Sequence, residues 1–322
     1  MLALASIAGT HARAAPMPRL AIVFWRIPAA DLVGPRPAFP GARTLVDSLR
    51  TRGWVHDLNI EILWRSAEAS ESRRDRIFDD LVATRVDVIA TSGNDMVRAA
   101  MRRTRETPIV MITSLAPVES GLVATLAKPG GNVTGMTETG LDISGKRLEL
   151  LKQAVPKAKR IGYLHGRGPA ADAILQATRA AAAQLRLTLL PFVADTHEEL
   201  EQAERGLNAI GVDALLVDTN LSAAAKDQPA FHALAARRRL PAMLAYGNAV
   251  RSGGLMSYDI KPGFLYTRTA YYIDRILRGD QPSDMPVERP NAYHLTLNLR
   301  AAVAIGLTLP PAFVAQADEI LE

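Results

Sequence analysis

The feature that most constrains this chain is an alternation of short apolar runs with amphipathic segments, run through once and then begun again. Leu20–Trp25 is a continuous apolar run of strand length, and Ala42, Leu45, Val46 and Leu49 then recur at i, i+3, i+4 and i+7, the spacing of one helix face. Asn59–Ile62 alternates as a strand does, a helix carrying Ile77, Leu81 and Val82 follows, and Val86–Thr91 is the next strand, ending on Ser92, Gly93 and Asn94. A helix over Asp95–Arg103, a strand over Ile109–Thr113 and a short strand near Asn132–Thr134 complete the first series. The second opens with a helix near Ser144–Val155 and supplies strands at Arg160–His165, Thr188–Val193, Ala214–Val217 and Pro241–Leu244. Between them lie an Ala-rich helix to about Leu185, a helix entered through the capping box Thr196–Glu199, and a helix over Pro229–Arg239. The remainder reads as a strand over Leu255–Tyr258, a helix over Pro262–Arg278, a Pro-rich stretch over Pro282–Pro290, a strand over Tyr293–Leu297 and a helix from Leu299.

A run of βα units implies a parallel sheet covered on both faces. Two such runs joined near Gly135 predict an α/β chain of two Rossmann-like lobes, with ligands expected at the carboxyl ends of their strands. The length of 322 residues and the 48% apolar content allow each lobe a core of its own. No apolar run reaches the roughly 20 residues that a membrane span requires.

The net charge of +5 raises the question of nucleic acid, but the basic residues are scattered. The short clusters Arg102–Arg103–Arg105 and Arg237–Arg238–Arg239 each fall at the end of an expected helix, where cations complement the helix dipole. No nucleic-acid motif is present, and no nucleic-acid partner is expected. Cysteine is absent, which removes disulfides, thiolate metal sites and thiol catalysis. The first 16 residues are small and apolar and contain Ala12-Arg13-Ala14, an A-x-A cleavage pattern, although the usual basic start is missing. They read as the remnant of a signal peptide cleaved near Ala14, and a periplasmic location is expected.

Several chemistries fail on their spacing. Gly130 and Gly135 are separated as in a phosphate-binding loop, but Met136 stands where the lysine must be and Pro129 precedes the motif instead of a strand. The first strand is not followed by G-x-G-x-x-G, no G-x-S-x-G elbow or H-E-x-x-H occurs, and the six histidines are dispersed. Neither a cofactor nor a metal is expected, and the chain does not read as an enzyme.

Four ordered motifs carry a resemblance. They are Gly121–Gly135 with its KPGGNVTG ending, Gly145–Lys152 followed by Val155-Pro156, Gly253-Gly-Leu-Met-Ser-Tyr258, and a C-terminal group comprising Asp284–Pro290, Leu297-Asn-Leu299, Gly306–Pro311 and Ala317–Ile320. Together they resemble the ABC-transporter substrate-binding family that includes the tryptophan- and tyrosine-binding proteins. The resemblance implies a type I periplasmic-binding fold, in which two lobes with parallel sheets are joined by a three-crossing hinge. It implies discontinuous lobes, 17–135 with 257–282 and 136–256 with 283–322. It also implies a monomer that passes a small zwitterion, with aromatic amino acids as the suggested class, to an ABC permease and its ATPase. A sensor domain of the same fold is the alternative function. This chain departs from the family pattern at Ala116-Pro117-Val118, and at Asp259, where a glycine usually follows the Ser-Tyr pair.

Candidate ligand contacts follow from the strand ends. Ser92, Gly93 and Asn94 precede a helix and could hold a carboxylate at its positive end, with helix capping as the competing role. Thr113 and Ser114 end the next strand and offer hydroxyls. In the second lobe Asp218 and Asn220 follow a strand, and Asp218 suits a ligand ammonium at charge-assisted strength. His165 ends another strand, Thr137 and Glu138 follow the first crossing, and Tyr246 could stack on a flat ligand. Trp25 and the adjoining Arg26 close the first strand, where an aromatic face favours apolar or aromatic solutes.

Overall fold

The computed structural model describes residues 17–33, 37–138, 140–218, 221 and 224–322. The expected signal segment and Asn220 lie outside the described residues. The first lobe is built on β1 (Arg19–Phe24), α1 (Pro40–Arg50), β2 (Glu61–Ser66), α2 (Glu71–Ala83), β3 (Val88–Ser92), α3 (Asn94–Arg103), β4 (Ile109–Thr113) and β5 (Val133–Gly135). Its five strands are parallel in the order β2-β1-β3-β4-β5. Such strands are buried on both faces, which is why they read as unbroken apolar runs rather than alternations. Leu20, Ile22 and Val88 face one core layer, and Ala21, Val23 and Ile89 face the other.

The second lobe continues with α4 (Gly140–Ala154), β6 (Arg160–His165), α5 (Pro169–Gln184), β7 (Thr188–Val193), α6 (His197–Ile210), β8 (Ala214–Val217), α7 (Ala224–Arg237), β9 (Ala242–Leu244), α8 (Gly247–Arg251) and β10 (Met256–Ile260). After α9 (Phe264–Leu277) come β11 (Tyr293–Asn298), α10 (Leu299–Ala304), α11 (Pro311–Val314) and β12 (Glu319–Leu321). The order is β12-β11-β10-β9-β8-β6-β7, with β10 and β11 antiparallel. The segment β7-β6-β8-β9-β10 therefore repeats the strand order of the first sheet, and β11 and β12 extend it. The capping box entering α6 forms as its spacing predicts, with Thr196 and Glu199 each accepting from the other's backbone N–H.

Among the described residues the chain passes between the sheets three times. The first crossing follows β5. Gly135 takes φ 127°, and a Cβ there would stand 2.3 Å from the Met111 carbonyl oxygen, so only glycine fits beside β4. The second crossing leads to α9, whose Ala270, Tyr272, Ile273 and Ile276 pack into the first-lobe core. The third returns through Met285 and Val287, which also pack into that lobe, to β11. The expected boundary at 257 thus falls inside β10, whose ladders with β9 and β11 belong to the second sheet. Likewise 283–288 stays on the first lobe, with Glu288 donating its N–H to the Gly135 carbonyl at 3.0 Å.

The crossings brace one another. Thr137 donates its backbone N–H to Glu288 at 2.9 Å, and Lys261 donates its own to Ala292 at 2.9 Å. Arg268 of α9 grips the Glu288 carboxylate with two nitrogens, at 2.9 and 2.5 Å, while its guanidinium stacks 4.1 Å from the Tyr271 ring centre.

Candidate ligand-binding site

In a sheet of order 2-1-3-4-5 the crevice opens where the order reverses, between strands 1 and 3. Here the first lobe meets the crevice with the ends of β1, β3 and β4, and the second with residues following β8 and β9, with α8 and with the end of β10. A cavity of about 950 Å³ lies between the lobes, walled from the first by Trp25, Arg26, Ser92, Gly93, Asn94 and Thr113 and from the second by Leu221, Tyr246, Asn248, Ser252 and Asp259. Both lobes contribute, so a ligand enclosed here touches both at once.

The first-lobe wall is aromatic and carries both signs of charge, Arg26 and Arg74 with the exposed carboxylates of Glu71 and Asp95. Phe24 meets Phe39 edge-on with ring centres 5.4 Å apart, and Phe39 meets Tyr266 of α9 in the same way at 5.7 Å. This row forms because Gly41 opens α1 without a side chain; a Cβ there would stand 2.3 Å from the Tyr266 ring. Trp25 carries the Arg74 guanidinium over its ring at 5.8 Å, and Arg74 also pairs with Asp75 at 2.8 Å. Sequence reasoning missed Phe39, Arg74 and Tyr266. Arg74 and Tyr266 sit on helices read as core-facing, and only their packing turns them toward the cleft.

At the start of α3 the capping residue is Gly93, with φ 87° and no side-chain cap. The Ser92 hydroxyl is therefore not the cap. The Asn94 side chain is committed elsewhere: it donates to the Leu115 carbonyl at 2.7 Å and to Ser120 Oγ at 2.8 Å, and accepts the Leu115 N–H at 2.9 Å. It latches the 115–120 turn beside the cavity. Ser114 is buried and donates to the Met136 carbonyl at 3.2 Å, while Thr137 Oγ1 donates to the Ser114 carbonyl at 3.0 Å. This pair serves the first crossing. The Thr113 hydroxyl oxygen is buried and reaches no partner at full hydrogen-bond geometry.

The second-lobe wall is acidic. Asp218 is buried and accepts the Tyr163 hydroxyl, and Tyr163 in turn stacks on His165 at 5.3 Å between ring centres. His165 Nδ1 pairs with the Gly166 carbonyl at 2.8 Å. Asp259 accepts the Gly247 N–H at 2.8 Å. Asp218, His165 and Glu138 stand behind the cavity surface rather than on it, whereas Asp259, noted in the sequence only as a departure, lies on it. Glu138, Tyr246 and Asp259 keep some water contact but are otherwise hemmed in by protein.

Removal from water dominates the ionisation of this group. Burial pushes the Glu138 carboxyl above the usual range; Arg147 and the neighbouring Thr113 hydroxyl oppose this, and Asp259 and Asp218 add to it. Burial likewise raises Asp259, against the Gly247 N–H and Arg147. The Tyr246 phenol is raised by burial and then by Glu138, and Tyr163 by burial and then by Asp218. With Asp259 on one side and Arg26, Arg74 and aromatic rings on the other, the cavity can orient a small dipolar molecule.

A model of the ABC transporter substrate binding protein family matches residues 42–321, and the chain belongs to that family. It is a substrate-binding protein of an ABC transporter. A tyrosine-binding protein of Clostridioides difficile (strain R20291) is 28% identical over 255 residues, 79% of this chain and 72% of the relative. Among solved structures, an ABC domain in complex with L-Trp from Streptococcus pneumonia superposes with a TM-score of 0.83 at 23% identity, over 94% of this chain and 99% of that one. The ligand-free, open form of a substrate-binding protein with adhesive properties from Clostridium difficile gives 0.73 at 26% identity, over 95% and 99%. Members of the family are typically extracellular or periplasmic, and among the described residues no helix is long and apolar enough to cross a membrane.

Proposed function

We propose that this protein captures an amino acid with an aromatic side chain between its lobes and hands it, unchanged, to an ABC permease and its ATPase. The observation that carries the reading is that the cavity sets Arg26, Arg74 and the aromatic rings of the first lobe across from Asp259 of the second, while the first lobe's own carboxylates there, Glu71 and Asp95, are turned largely to solvent. The ligand's ammonium faces Asp259 and the field of Asp218 and Glu138. Its carboxylate faces Arg26 and the first-turn backbone N–H groups of Asn94, Asp95 and Met96, at the positive end of α3; the Gly93 N–H is itself held by the Thr113 carbonyl at 2.9 Å. Its side chain lies along Trp25, Phe39 and Tyr266. His165 supports the second-lobe wall.

A ligand that touches both lobes only when they are closed shifts the open–closed equilibrium toward the closed form. The permease reads that form. The three braced crossings favour such a motion, with lobes of 17–135 plus 261–288 and 136–260 plus 289–322. Export through the N-terminal segment and action as a monomer complete the reading, and the tyrosine-binding relative and the L-Trp complex support the choice of ligand class.

The test is calorimetry on the purified protein with L-tyrosine, L-tryptophan, L-leucine and the amine-free analogue 3-(4-hydroxyphenyl)propionate. Binding of the aromatic amino acids well above leucine, with loss for the amine-free analogue, is expected. Equal binding of the analogue overturns the placement of the ammonium, and no binding of any of them overturns the ligand class. At about 100 times its dissociation constant a ligand adds about 2.7 kcal/mol, so a thermal shift checks the result independently.

A further inference from the structure

The GKRLELL motif is not absorbed by the cavity, and it contains a buried cation. On α4 the residues Ile143, Arg147, Leu148, Leu151 and Ala154 share the inward face, and Arg147 is only 1% exposed. The adjacent Lys146 points outward and pairs with Glu149 at 3.1 Å. A guanidinium withdrawn from water persists only where acceptors and opposite charges compensate it.

Arg147 Nε donates to the Tyr258 carbonyl and a terminal nitrogen donates to the Ala245 carbonyl, each at 2.7 Å. These acceptors are the residues immediately before Asp259 and Tyr246, the two side chains that β10 and the end of β9 present to the cavity. The Gly247 N–H, held by Asp259 at 2.8 Å, ties the two strand ends together. One planar fork thus seats both.

We infer that Arg147 is the positioning residue of the ligand site: it fixes the strand ends that present Tyr246 and Asp259, and it sets a buried positive charge near Glu138 and Asp259 where they meet a cationic amine. The second half rests on the amine placement proposed above. Glu138 faces Thr113 of β4, Asp218 beyond β8, Tyr246 beyond β9, Asp259 of β10 and Tyr266 of α9, with Arg147 as the cation among them. Asp259 also feels His294 of β11 and Arg251 of α8. Without Arg147, Glu138 and Asp259 lose a compensating charge and hold their protons to higher pH.

The experiment compares the full chain with Arg147→Met and Arg147→Lys. In the ligand-free proteins, ¹³C NMR follows the Glu138 and Asp259 carboxyl carbons against pH, assigned with Glu138→Gln and Asp259→Asn. In Arg147→Met both midpoints should rise by about one pH unit or more, while Arg147→Lys stays within about half a unit of wild type. Calorimetry with L-tyrosine against pH is the second readout. Lysine keeps the charge but cannot span two carbonyls, so its affinity should fall about tenfold at every pH with the profile unshifted. The Met variant's profile should move to higher pH. Unmoved carboxyl midpoints in Arg147→Met, or wild-type affinity in Arg147→Lys, would overturn the inference. If Arg147→Met does not fold, the Lys variant decides alone, since shifted midpoints or undiminished affinity each contradict the assignment. The titration needs no ligand, so wild type failing to bind tyrosine removes the amine placement while leaving Arg147's electrostatic role decided.

Discussion

The Asp259 carboxylate accepts the backbone N–H of Gly247 at 2.8 Å, joining the end of β10 to the turn that follows β9. The bond holds a carboxylate oxygen at the cavity surface. Asp259→Asn keeps an acceptor for Gly247 and removes the charge. Burial raises the Asp259 value, so its ionised form costs folding energy near neutral pH. The variant should therefore melt at the same temperature as wild type or higher, while its affinity for an amine-bearing ligand falls by about 1.5–3 kcal/mol. Calorimetry and a thermal melt on one sample check both, and unchanged affinity would take Asp259 out of the site.

Tyr163 and Asp218 form a buried pair one layer behind the cavity. Tyr163→Phe leaves Asp218 a buried acceptor without that donor and should cost about 1–3 kcal/mol of stability, with affinity reduced less than tenfold. Asp218→Ala should cost similar stability and weaken an amine ligand further, because the carboxylate's field is lost as well. Urea unfolding and calorimetry on the two variants separate the roles. Equal affinities would make Asp218 purely a structural partner of Tyr163.

The lobes were legible because a buried parallel strand writes itself as an apolar run, and because the capping box and KPGGNVTG mark fixed places in the chain. Strand-end logic also reached Trp25, Arg26, Ser92, Gly93, Asn94, Thr113 and Tyr246, which line the cavity at or just past strand ends. It could not show that the Asn94, Ser114 and Thr137 side chains also bind the 115–120 turn and the first crossing, because those partners lie far along the chain. Arg74, Tyr266 and Arg147 escaped for the opposite reason. Helical periodicity says which face is inward, but not that an inward polar group ends at a cleft or beneath one.

Gly41→Ala tests the aromatic wall without touching a polar group. The new methyl would stand 2.3 Å from the Tyr266 ring and must displace it, since the helix backbone beneath is fixed. Overpacking of this kind costs about 1–3 kcal/mol. Tyr266 lines the cavity, so aromatic ligands should lose more affinity than leucine does. Calorimetry against tyrosine, tryptophan and leucine reads the ratio, and an equal loss for all three would mean that the ring does not contact the ligand's side chain.

Glu138 gives a pH dependence with a definite sign. Its folded value lies above the ordinary carboxylate value of about 4.3, so the native state binds this proton more tightly than the unfolded chain does. The stability it contributes is complete below the unfolded value and is lost as pH rises through the folded one. Glu199, Asp213 and Glu319 are lowered by their hydrogen bonds and act in the opposite sense, losing their contribution as pH falls through their folded values. Those groups are unchanged in Glu138→Gln. The melting temperatures of wild type and variant should therefore coincide near pH 4, and the variant should become the more stable as pH rises, levelling off once Glu138 is fully ionised. Saturating tyrosine should narrow that gap, because an ammonium beside Glu138 favours its ionised form. Melting curves for the ligand-free proteins from pH 4 to 9 suffice to check the sign; two parallel curves would show that Glu138 titrates as an ordinary carboxylate.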